Sequence, residues 1–173
     1  MAIAALVISR GAVSYPEGAP WGAADHQAAD DCASCHWERE PITNSDAITL
    51  AGTAESTPAS TVHSLTLSFQ PDEMTVSGFQ ILAVNEYGLA GRFDTSDNTI
   101  EVHDDQSALR STAVRRPDEA NVEWKFQWVA PDVAGQTVRL LVAVSAANDD
   151  QSPFGDQIHY RSFEIGIVDK ESN

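Results

Sequence analysis

Cys32, Cys35 and His36 stand in the order Cys-Ala-Ser-Cys-His, and these are the only two cysteines in 173 residues. Two thiols three positions apart can each form a thioether with one vinyl group of a single haem, which leaves the following imidazole beneath the iron. On this reading Cys32 and Cys35 attach one covalent haem c, His36 is its proximal iron ligand, and Trp37 packs on the haem edge. Plainer readings of the cysteine pair compete with it. A structural zinc site asks for four ligands, usually from two such pairs, and there is no second pair. A redox dithiol is expected after a strand and at a helix start in a βαβ unit, whereas this motif follows Asp30-Asp31 in a segment flanked by Gly22 and Pro41. A small disulfide accounts for the thiols and leaves the adjacent His36 unexplained.

The elements that must position this motif begin with residues 17–45. Gly18, Pro20, Gly22 and Pro41 break any apolar period there, so an irregular haem-binding segment is expected, with one helical turn around Cys32 to Trp37. From residue 46 the apolar positions alternate. The sets are Ile48-Leu50, His63-Leu65-Leu67-Phe69, Phe79-Ile81-Ala83, Trp124-Phe126-Trp128, Val138-Leu140-Val142-Val144 and His159-Arg161-Phe163-Ile165-Ile167. Period two over such lengths predicts half-buried strands, and turn residues such as Gln70-Pro71-Asp72 and Ala130-Pro131-Asp132 separate them. An all-β, immunoglobulin-like antiparallel β-sandwich is therefore expected over 46–169. Trp124, Phe126 and Trp128 share one parity and are expected in its core. Asp94, Asp97 and Asn98, and Asp149, Asp150 and Asp156, lack the spacing of a calcium loop and read as solvated turn residues.

Ser-Gly-Phe-Gln at 77–80, the run Trp124-Lys125-Phe126-Gln127-Trp128-Val129-Ala130-Pro131, Ala146-Ala147-Asn148 and Gly155-Asp156-Gln157-Ile158 resemble a bacterial reelin-like sandwich family, the choice-of-anchor domains. The resemblance spans roughly residues 17–168. It implies a secreted reelin-like β-sandwich, and members of that family often carry Cys-x-x-Cys-His shortly before the first strand. Family members tend to have Tyr at the starts of the second and last strands, where this chain has His63 and His159.

A c-type haem can take a sixth ligand from His or Met. The candidates are His159, Met74, His63, His26 and His103, in that order. The order rests on topology. If the first strand lies parallel to the last, both begin at one end of the sandwich, and His159, with the inward parity of Phe163, Ile165 and Ile167, faces the haem as distal iron ligand. Met74, after the second strand, falls at the same end. His26 lies six residues before Cys32 and reaches its own haem only if the segment loops back.

Twenty-six acidic against ten basic residues give a net charge of −16, spread along the chain, which makes nucleic acid an unfavourable partner. Such a surface suits high salt, or steers a basic redox partner. The apolar run at 2–9 is far short of the roughly 20 residues that span a bilayer, so residues 1–16 read as an apolar leader or N-terminal arm. Thioether attachment is completed outside the cytoplasm, which agrees with a periplasmic or extracellular protein. The function expected is one-electron transfer by a monohaem c-type cytochrome, not an enzyme, working with redox protein partners, other haem proteins or copies of itself. The rival is a secreted adhesion or carbohydrate-binding sandwich with a structural cysteine pair. A haem sensor or small haem enzyme with an open iron site is a third reading.

Overall fold

Inward-facing alternation is what closes this chain into two stacked sheets. The computed structural model describes residues 18–119, 121–150 and 152–170, and the expected leader or arm at 1–16 lies outside them. Numbered in chain order, one sheet has four strands in the order β1 (Ile48–Ala51), β3 (Val62–Phe69), β9 (Val122–Val129) and β6 (Arg92–Asp94). The other follows the order β2 (Ser56–Pro58), β11 (Gln157–Val168), β10 (Gln136–Ala147), β4 (Val76–Asn85), β8 (Ala108–Ser111) and β7 (Ile100–Val102), with β5 (Gly88–Leu89) paired to β4. A single helical turn, α1 (Cys32–Cys35), precedes them.

The core between the sheets is built by the alternating sets. Leu65 and Leu67 on β3 stand opposite Phe126 and Trp124 on β9. On the facing sheet, Leu140 lies between Ala83 of β4 and Phe163 of β11, and Val138 opposite Ile165. Trp124, Phe126 and Trp128 are all buried there, as their shared parity requires. Burial of this contiguous apolar set is the main stabilising term of the fold.

Two features depart from the expected topology. The pairs are antiparallel except that β2 runs parallel to β11, through Ser56–Pro58 against Gly166–Val168, so the larger sheet is mixed. The first strand, β1, does not pair with β11; it belongs to the other sheet. Beside the start of β11 lies the segment that carries the Cys-x-x-Cys-His motif, where the Ile42 N–H donates to the Ile158 carbonyl at 2.9 Å and the Tyr160 N–H to the Ile42 carbonyl at 2.8 Å.

From that pairing the segment crosses the outer face of the larger sheet. Tyr160 and Ile158 of β11 and Ala143 of β10 form a second apolar cluster with Ala24, against which Cys32, Ala33 and Leu82 pack. Successive strands each hold a piece of the segment. Gln157 Nε2 donates to the Glu40 carbonyl at 2.7 Å, the buried Gln80 of β4 accepts from the Ala24 N–H at 3.0 Å and donates to the Pro20 carbonyl at 2.8 Å, and Arg110 of β8 donates to the Ala19 carbonyl at 2.7 Å. The Arg110 guanidinium also lies 4.4 Å over the Trp21 ring.

Candidate functional site

The motif folds as a capped turn. Asp31 takes the N-cap, its Oδ1 accepting from the Ser34 N–H at 2.9 Å, and the His36 N–H closes the turn on the Cys32 carbonyl at 3.2 Å. Both thiols are free; Cys35 is exposed and Cys32 half-buried. The Tyr160 hydroxyl accepts from the Ala33 N–H at 3.1 Å, which seats the turn on β11. Burial, then the nearby Asp31 carboxylate, pushes the Cys32 thiol up to about 12. Burial likewise holds the Tyr160 phenol above its ordinary range.

His36 sits over the loop between β10 and β11. That loop is set by local bonds: the Asp150 N–H donates to Asn148 Oδ1, the Ser152 N–H to Asp150 Oδ1 and the Phe154 N–H to Ser152 Oγ. Gly155, at φ +82°, turns the chain where a side chain would be strained, and its N–H donates to Glu38 Oε2 at 2.7 Å. The next residue, Asp156, is only 3% exposed. Its Oδ1 accepts from the Asn148 N–H and its Oδ2 lies 2.9 Å from His36 Nδ1. The approach is close enough for an ion pair yet not aligned as a hydrogen bond, so Nδ1 is a buried polar atom without an aligned partner. Beside it the rings of Trp37 and Phe154 meet edge to face at 5.6 Å, with Trp37 67% exposed and Phe154 47% exposed.

The donor set fits a haem. Two free thiols share one turn with an imidazole whose Nδ1 lies 2.9 Å from a buried carboxylate, the kind of partner that fixes the tautomer and plane of a metal-bound histidine once ring and carboxylate are brought into line. Among the described residues no three His, Cys, Asp or Glu side chains group as a metal cage, so a structural zinc site has no ligand set here.

His159 is not brought to the motif. Its inward parity holds, but the segment lies on the outer face, so the strand itself separates His159 from Cys32. Its Nδ1 is 2.7 Å from Ser45 Oγ and its ring meets Phe69 edge to face at 4.9 Å. Burial pushes its pKa down to about 4. Met74 packs against the inner core. His63 bridges Thr57 Oγ1 at 2.8 Å and the Gly52 carbonyl at 3.2 Å beside Trp128, and His103 pairs with Asp105 at 2.8 Å and meets Trp21. His26 lies on the outer face with the motif, its ring 5.6 Å from that of Tyr160.

Asp156, Tyr160 and Gln80 are the supporting residues that sequence reasoning missed. One signal was there: Leu140 to Val144 is an unbroken apolar run, and Ile158 and Tyr160 are apolar on the parity opposite His159. Both patterns belong to strands covered on two faces.

No family model matches the chain, and no curated protein matches it. Solved structures do. The Reelin-N domain of F-spondin superposes with a TM-score of 0.59 at 16% identity, covering 79% of this chain and 97% of that domain. Two crystal structures of the human F-spondin reeler domain give 0.52 and 0.51 at 16% identity, covering 77% and 76% of this chain and 95% and 93% of theirs. The fold is a reelin-like β-sandwich. At this identity the reelin-like likeness speaks for the architecture alone.

Proposed function

We propose that this chain is an exported monohaem c-type electron carrier in which Cys32 and Cys35 hold one haem c and His36 ligates its iron. The observation that carries the reading is the sharing of one turn by the only two cysteines and an imidazole whose Nδ1 stands 2.9 Å from a buried carboxylate. Each cysteine would add its sulfur to one carbon of a vinyl group and its proton to the other, so attachment balances without an oxidant. His36 would offer Nε2 to the metal, and Asp156, 2.9 Å from Nδ1, would accept its proton in a hydrogen bond once the ring turns into line. Trp37 and Phe154 would keep water from that side. When bound, the haem supplies a one-electron iron couple. The charge of −16 favours a redox partner with a basic face, and such docking slows as salt is raised. Attachment outside the cytoplasm makes the working compartment periplasmic or extracellular.

The test is a visible spectrum of the full chain purified from a host competent in cytochrome c maturation, with a pyridine haemochrome assay after acid-acetone extraction. Colour that stays with the polypeptide, a sharpened α-band on dithionite reduction, and loss of both in Cys32→Ser/Cys35→Ser are expected. A colourless polypeptide overturns the reading and leaves a secreted adhesion or carbohydrate-binding sandwich as the working alternative.

A further inference from the structure

A haem held by Cys32, Cys35 and His36 would lie on the outer face of the larger sheet, and any further ligand from this chain would have to reach it there. Among the described residues, His159 and Met74 face the interior between the sheets, and His63 belongs to the other sheet with both ring nitrogens engaged. His103 follows β7, which stands four strand spacings from β11, roughly 19 Å away. His26 meets the requirement. It is exposed, no described residue hydrogen-bonds its ring, and it packs on Tyr160, the residue that seats α1.

The segment does loop back on itself. The Cys32 N–H donates to the Ala23 carbonyl at 3.2 Å, closing the chain between them, and Asp25 orders the turn by accepting from the Gln27 N–H at its side chain and the Ala28 N–H at its carbonyl. His26 therefore projects from a closed loop whose base is the motif. Its support, Tyr160 on β11, and the support of His36, Asp156 just before β11, are four residues apart along the chain, roughly 13 Å, so both imidazoles are held by the same end of that strand. His26 also lines a hollow of about 180 Å³ with Asp25, Tyr160, Arg139 and Arg161, the last paired with Asp46 at 3.0 Å.

Resting on the haem reading above, we infer that His26 is the sixth ligand of the iron. The haem-loaded chain is then six-coordinate and low-spin in both oxidation states. The experiment compares absorption and electron paramagnetic resonance spectra of the loaded wild type, His26→Ala and His26→Met, with carbon monoxide added to the reduced proteins. His26→Ala is expected to keep its covalent haem, become high-spin and bind carbon monoxide at least tenfold more tightly. His26→Met is expected to recover a low-spin form carrying a thioether-to-iron charge-transfer band. A His26→Ala protein that stays low-spin overturns the assignment, as does a high-spin wild type. A low-spin wild type that turns high-spin on dilution also overturns it, because the ligand then comes from a second copy. A polypeptide that emerges colourless fails at the earlier step and removes the haem reading together with this ligand.

Discussion

His159 and Tyr160 are adjacent in sequence and belong to different parts of the molecule. His159 points between the sheets, where it is 6% exposed and tied to Ser45 and Phe69. Tyr160 points outward, where it is buried only because residues 18–45 lie over it. Further along β11 the outward residues Ser162 and Glu164 are exposed, so two-sided burial stops where the segment stops. One face of this strand serves the sandwich and the other serves the motif.

Truncation on the inner face breaks the comparison most severely. Ile165→Ala opens a cavity between the sheets and is expected to lower unfolding free energy by about 4 kcal/mol, whereas Ile158→Ala is expected to free the segment before the sandwich unfolds. Denaturant unfolding followed by tryptophan fluorescence, with hydrogen exchange at residues 23–36, separates the two; equal global losses would show that the faces are one cooperative unit.

Acid sharpens the same contrast. The buried His159 ring resists protonation down to about pH 4 against an ordinary 6.5, so the unfolded chain takes up a proton there that the folded chain refuses. The stability tied to that ring is whole above about pH 6.5 and is lost as pH falls towards 4, by up to about 3 kcal/mol. His159→Gln removes this dependence. Unfolding curves of wild type and variant that stay parallel across that window would show that the ring is not buried as described.

The smallest expected effect is on the outer face. Gln80→Ala leaves the Ala24 N–H and the Pro20 carbonyl without partners, and is expected to weaken the segment's attachment by about 2 kcal/mol with little change in global unfolding. Faster exchange of the Ala24 and Cys32 amides is the readout, and unchanged exchange would mean that the segment is held elsewhere.

The long strands β3, β4, β9, β10 and β11, the four-residue β1 through its Ile48-Leu50 pair, and the turn at the motif were legible because each is written in local period or spacing. Strands β2, β5, β6 and β7, two or three residues each, are too brief for a period to form, and β8 (Ala108–Ser111) shows no alternation, with Ala108 and Leu109 both buried. The parity of His159 was legible too, but not which face the segment would cover. That depends on contacts between residues 117 to 127 positions apart, such as Gln157 with Glu40 and Tyr160 with Ala33. Asp156 was read as a solvated turn residue for the same reason: its burial comes from a segment more than a hundred positions earlier.

That separation fixes an order of events. During synthesis the motif emerges before Asp156–Tyr160, the surface that later seats it, has been made. Until then both thiols are open to modifying enzymes; afterwards Cys32 is half-buried and its proton tightly held. On the haem reading proposed above, thioether formation would precede that seating, while both thiols are still open.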